Sequence, residues 1–311
     1  MNSIPNSKVM CDVLIEATNN NPNILVVTSD SRGSGKLADF ANKHPNNIIE
    51  IGIAEQNLVS VSAGLAHSGK KPFAVSPAAF LSMRSIEQVK VDVAYSNTNV
   101  KLVGISGGVS YGALGMSHHS LQDFAVLRAI PNMRIYCPSD QVETKKLFQE
   151  LVKDDKPAYI RLGRNPQPIC YDEDFSFEFN KASLLKEGDD VLLIVTGELL
   201  HNVIKASELL ENDGINSTVL GIHAIKPLDL DYIYKYSKKI KKIISIEEHS
   251  KYGGLGSSIS EALSEEIDIK HKILALPDEE LVTGNPKEIY SHYGLDDYSI
   301  YKTAKEFLMG N

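Results

Sequence analysis

Cysteine is scarce: Cys11, Cys137 and Cys170 are the only three in 311 residues, an odd and widely spaced set that supports no disulfide framework. No Cys-x-x-Cys pair occurs, and the adjacent histidines His118 and His119 are not the i, i+4 pair of a helical metal site, so no metal ligands are expected on this chain. Long apolar runs are missing too. None approaches the roughly 18 residues that a membrane span needs, which excludes an integral-membrane protein and leaves no membrane partner to expect. Met1 to Ser7 has neither a basic start nor an apolar block, so no secretory signal is read and the cytoplasm is the expected compartment. Basic residues are outnumbered, 32 Lys and Arg against 40 Asp and Glu, and the formal charge of −8 repels phosphate backbones. The one basic cluster, Lys235 to Lys242, reads as a solvated helix end, and nucleic acid is not an expected partner. G-x-G-x-x-G is absent. In Asp30-Ser-Arg-Gly-Ser-Gly-Lys36 a Walker loop is ruled out by Asp30 in place of its first glycine and by Leu37 where Ser or Thr binds magnesium.

What is present is an alternating pattern. Short Ile- and Val-rich runs at 24–27, 48–51, 100–105, 133–137 and 158–162 read as buried strands, separated by segments of helical period such as Leu58, Val61, Leu65. That rhythm predicts right-handed crossovers and a mostly parallel sheet covered on both faces. It stops after Leu162. Residues 166–189, with an acidic and aromatic stretch from Tyr171 to Phe179, read as a linker. A second α/β rhythm follows, with strands expected at 191–196, 217–222, 240–246 and 272–276. The expected fold is α/β: two doubly wound domains with mostly parallel sheets, one over 1–165 and one over 190–311.

In open parallel sheets, ligands gather at the carboxyl ends of strands, so the loops after each strand are the places to search. The 30–36 loop is a polar turn. At 50–57, Gly52 precedes a helix opening at Glu55, a carboxylate favoured there by the helix dipole and set in apolar sequence that suits proton transfer. Phe80 follows the strand around 73–75 and is either core or a platform for a planar heterocycle. Ser106 to Ser120 is a long glycine-rich loop holding Ser117-His118, better suited to polar substrate contacts than to a metal. Arg161-Leu-Gly-Arg164 closes the first domain, where arginine suits phosphate or carboxylate, although an exposed salt bridge explains it as well.

The order of these pieces carries more than any one of them. Gly-Ile-Ala-Glu-Gln-Asn at 52–57, Ser62-Ala-Gly-Leu-Ala66, the Phe80 loop, Ser117-His118, Arg128-Ala-Ile-Pro-Asn-Met133, Pro138-Ser-Asp140 and Arg161-Leu-Gly-Arg164 together resemble the pyrimidine-binding domain of transketolases and deoxyxylulose phosphate synthases. Ile246-Glu-Glu-His249 and Gly253-Gly-Leu-Gly-Ser257 resemble the transketolase C-terminal domain. The resemblance spans residues 8 to 300 or so and implies thiamine diphosphate with Mg2+ as cofactors. It implies that Glu55 hydrogen-bonds the pyrimidine and activates it, that Phe80 stacks on the same ring, and that His118 contacts sugar hydroxyls near the reacting carbon. By the same resemblance Ser34 and Arg164, with Lys8 nearby, fall where the substrate phosphate binds, and Ser106 stands where a phosphate-contacting histidine is usual.

Two departures shape the expectation further. Gly112-Ala-Leu-Gly-Met-Ser-His118 has Leu114 where the family uses an aspartate to recognise a donor hydroxyl, which points to a modified sugar or a different donor. The family's Gly-Asp-Gly magnesium sequence is absent, Glu187-Gly-Asp-Asp190 being the nearest. The resemblance therefore implies one subunit of a split enzyme transferring a two-carbon ketol unit. Its partner would be an N-terminal subunit carrying Gly-Asp-Gly that holds the diphosphate and the metal, with two copies of each chain. The alternatives are the beta subunit of a 2-oxoacid dehydrogenase, a deoxyxylulose phosphate synthase-like carboligase, and a non-catalytic interaction subunit.

Overall fold

The computed structural model describes residues 3–266 and 268–310. Its strands are β1 (Ile24–Thr28), β2 (Ile48–Glu50), β3 (Lys71–Pro77), β4 (Lys101–Ile105), β5 (Arg134–Tyr136) and β6 (Ala158–Arg161), then β7 (Ser183–Lys186), β8 (Val191–Val195), β9 (Ser217–Gly221), β10 (Ala224–Lys226), β11 (Lys242–Ser250) and β12 (Lys270–Leu276). They form two sheets, ordered β10-β5-β6-β4-β3-β1-β2 and β12-β11-β8-β9-β7. Every pairing is parallel except β10 with β5 and β7 with β9.

Burial explains the sequence signal. Strands β1, β4 and β8 are buried along their whole length, because helices cover both faces of each sheet, so they read as unbroken apolar runs rather than alternating ones. On one face of the first sheet, Met10 and Leu14 of helix Asn6–Asn20 pack with Leu147 and Phe148 of helix Gln141–Leu151. On the other face, Leu58, Leu81, Val89 and Leu127 form a separate core. The second sheet repeats the plan, with Val203, Leu210 and Ile300 on one side and Ile233, Tyr236 and Ile259 on the other. Among the described residues no helix is long and apolar enough to cross a membrane.

The segment 166–189 is not the free linker its sequence suggests. It supplies β7 to the second sheet, and its aromatics fasten the chain to both cores: Phe177 and Phe179 pack on the first, Tyr171 and Phe175 on the second. Asp140 anchors its start. One carboxylate oxygen accepts from Val142 N and Glu143 N, capping helix Gln141–Leu151, while the other accepts from Cys170 N and Tyr171 N at 2.7 and 3.0 Å. In the reverse direction, β10 leaves the second half of the chain to complete the edge of the first sheet.

The two halves also meet through buried charge. Arg161 is 3% exposed, so the surface salt bridge considered for it from sequence is not what forms. Its Nη2 donates to Glu248 O at 2.6 Å, Nη1 lies 3.6 Å from Asp123 Oδ1, and the guanidinium covers the Phe124 ring. Tyr159 donates to Asp123 at 2.7 Å, and Val109 N donates to Glu248 Oε1 at 2.7 Å, which ties the glycine-rich loop to the second domain.

Candidate active site

The parallel strands of the first sheet end on one edge, and the residues singled out from sequence follow them. Glu50, closing β2, shapes the approach: its Oε1 accepts from Asp30 N at 2.7 Å and Gly52 N at 3.1 Å, and Oε2 pairs with Arg32 at 3.3 Å. Gly52 takes φ +78°, a turn that L side chains resist, and it redirects the chain into helix Glu55–His67. Glu55 is the first residue of that helix and is buried, its side chain 2% exposed.

Burial leaves that carboxylate needing a partner, and Arg84 supplies one: Nη1 donates to Oε2 at 2.6 Å. The same guanidinium sits 4.7 Å from the centroid of Phe80, four residues earlier on helix Ala78–Met83 and its C-terminal end. Phe80 in turn meets His118 edge to face at 5.1 Å, and His118 meets Tyr111 at 5.5 Å. Arg164 lies over the far side of this cluster, 4.9 Å from the Tyr111 centroid. A continuous line of contacts thus runs Glu55, Arg84, Phe80, His118, Tyr111, Arg164, from a buried carboxylate to an exposed arginine.

The adjacent histidines diverge. His118 Nδ1 is 3.0 Å from Ser117 Oγ and its ring faces the cluster, whereas His119 is buried, bonded through Nε2 to Gly112 O, with burial lowering its pKa and keeping it neutral. Leu114 stands 54% exposed at the end of the turn Gly112–Leu114. Ser34, Ser106 and Lys8 make no hydrogen bond or ion pair with the line just described among the described residues. Ser34 Oγ donates to Ser31 O, the Ser106 hydroxyl is buried without a partner at φ +53°, and Lys8 is held by Asp12 and Asp39. Sequence reasoning missed Arg84 and Tyr111. The i, i+4 spacing of Phe80 and Arg84 was a usable signal, since it stacks the two on one helix face. Among the described residues, no group of three or more His, Cys, Asp or Glu is placed to hold a metal ion.

Residues 2–168 match the transketolase pyrimidine-binding domain and residues 180–300 match the transketolase C-terminal domain. The chain belongs to the transketolase family. It is 47% identical over 308 residues to an apulose-4-phosphate transketolase subunit of Phocaeicola vulgatus, covering 99% of this chain and 98% of that one. It superposes on a solved split-gene transketolase, described as an inactive beta4 tetramer, with TM-score 0.90 and 32% identity over 98% of this chain and 99% of that one. Against the transketolase of Campylobacter jejuni the TM-score is 0.81 at 18% identity, and this chain covers 47% of that protein, a likeness of fold alone. The transketolase family thus includes subunits of this length, and this chain is one subunit of a transketolase-like transferase that acts with a partner chain.

Proposed function

We propose that this chain binds the pyrimidine of thiamine diphosphate through Glu55 and Phe80, and that with its partner it transfers a two-carbon ketol unit between sugars or sugar phosphates. The observation that carries the reading is the buried carboxylate of Glu55, joined through one guanidinium to the Phe80 ring, beyond the carboxyl ends of adjacent strands. The donor set fits the cofactor's ring. Glu55 offers a shielded carboxyl to a weakly basic ring nitrogen, and Phe80 offers a flat apolar face. When bound, thiamine diphosphate supplies the electron sink for breaking and forming a carbon–carbon bond beside a carbonyl.

Within that scheme Glu55 holds the shared proton at its carboxyl oxygen, away from water, and orients the ring. His118, against Phe80, meets the sugar's hydroxyl oxygens. Arg164, exposed and braced by Tyr111, takes the substrate phosphate, with Ser34 and Ser106 as further contacts. Lys8 adds less charge, being already paired with two carboxylates. Leu114 at the rim accepts no hydrogen bond, which supports a donor other than the common ketose phosphates. Apulose 4-phosphate, from the name of the Phocaeicola vulgatus relative, is the first donor to try. The partner is proposed to be an N-terminal transketolase subunit with Gly-Asp-Gly that grips the diphosphate and Mg2+, in an assembly of two copies of each chain.

Reconstitution with that partner tests the reading. Glu55→Gln is expected to lower ketol transfer at least about 100-fold while leaving the circular dichroism spectrum unchanged. Full activity in this variant, or turnover by the chain alone, would overturn it.

A further inference from the structure

The guanidinium of Arg84 engages both groups that the proposed function gives to the pyrimidine. It donates to Glu55 Oε2 at 2.6 Å, and its Cζ lies 4.7 Å from the Phe80 centroid. Among the described residues no other hydrogen-bond donor meets the Glu55 carboxylate. A guanidinium is flat, with N–H donors along its edge and a face that stacks on aromatics, so it satisfies a carboxylate and a ring together. A planar heterocycle that takes the carboxylate oxygen bonded to Arg84 and the ring face under its guanidinium has to displace it.

The two members of the pair differ in what separation does to them. The Arg84 side chain is 46% exposed and regains water on leaving, whereas Glu55 is 2% exposed and would be a buried charge without a partner. Departure of Arg84 is therefore cheap only when something else arrives to meet the carboxylate. We propose that Arg84 is a stand-in for the pyrimidine: in the chain without cofactor it satisfies Glu55 and covers Phe80, and on loading it withdraws into solvent. This rests on the reading of Glu55 and Phe80 as the pyrimidine site. Arg84 thereby stabilises the unloaded protein and weakens cofactor binding, since apparent affinity falls with the fraction of molecules in which the place is open.

The test uses Arg84→Met and Arg84→Gln in the full chain, alone and reconstituted with its partner. Thermal unfolding of the isolated chain is expected to drop by about 3 °C or more, as Glu55 loses its counter-charge. Calorimetric titration of the reconstituted complex with thiamine diphosphate and Mg2+ is expected to give binding about tenfold tighter than wild type. Arg84→Lys, which keeps the charge without the flat face, should fall between, and it carries the same test if the other variants do not fold. Unchanged affinity overturns the proposal, because the guanidinium is then not in the pyrimidine's place. Weaker affinity overturns it as well, by making Arg84 a ligand of the bound cofactor. If the wild-type complex binds no thiamine diphosphate, the reading of the site falls and the stand-in falls with it. Normal wild-type binding without tightening in the variants removes the stand-in alone.

Discussion

Leu114 is the residue on which the proposed substrate choice turns. It is exposed at the rim of the glycine-rich loop, one turn from Tyr111 and four residues before His118. A carboxylate introduced there gains an acceptor for a sugar hydroxyl, and a buried hydroxyl left unpaired is worth about 1 to 3 kcal/mol. Leu114→Asp is accordingly expected to raise kcat/KM for common ketose phosphates about tenfold or more in the reconstituted enzyme. Steady-state kinetics with two donors checks it, and equal effects on both would count against this loop as the selector. Glu247 answers to a different variable. Burial pushes its carboxyl up to about 7 from an ordinary 4.5, partly offset by the N–H bonds from Gly256 and Leu255 at the start of helix Leu255–Ala262. The folded protein therefore holds this proton more tightly than the unfolded chain. Its contribution to stability is complete below about pH 4.5 and is lost as pH rises through 7, amounting to about 3 kcal/mol at most. Denaturant unfolding of wild type and Glu247→Gln at pH 5 and pH 8 should show the variant gaining relative to wild type at the higher pH.

Elements register differently in the sequence according to where their pairing energy lies. Asp140 shows how much one cap can hold. Its carboxylate accepts four backbone N–H groups, two at the head of helix Gln141–Leu151 and two in the strap that begins at Cys170. Asp140→Ala leaves all four donors unmet, three of them buried, and is expected to cost about 3 kcal/mol, measured by urea unfolding, far beyond an ordinary cap loss of about 1 kcal/mol. β1, β4 and β8 were legible because burial on both faces selects an uninterrupted apolar run. β10, Ala-Ile-Lys, was not legible, since three residues have no period and their strand character comes from β5, far away in sequence. β7 was hidden for a similar reason, its partly exposed residues blending into the polar strap. At the site, Glu55 and His118 stood out through local motif, whereas the Arg84 to Glu55 contact spans two helices and exists only once β2 and β3 have been placed in one sheet. Arg161 was misjudged because nothing near it in sequence reveals that Glu248 closes over it.

Arg161 belongs to the scale of the whole molecule, since it is the buried cation between the two halves. Removing it leaves Asp123 and the Glu248 carboxylate with their hydrogen bonds from Tyr159 and Val109 but without the buried counter-charge between them. Arg161→Met is expected to cost about 3 to 5 kcal/mol and to split a single unfolding transition into two, followed by tryptic digestion and calorimetry. One cooperative transition of unchanged midpoint would show that the aromatic strap, not this cation, couples the domains. The strand that the second half lends to the first sheet has a further consequence, in the order of synthesis. When the ribosome has released the last residue of β6, the hydrogen-bonding edge of β5 is still bare, and Ala224–Lys226, which will cover it, has not been made. During that interval the nascent chain presents an open sheet edge to its neighbours. A chain interrupted before residue 224 keeps that edge of β5 open permanently.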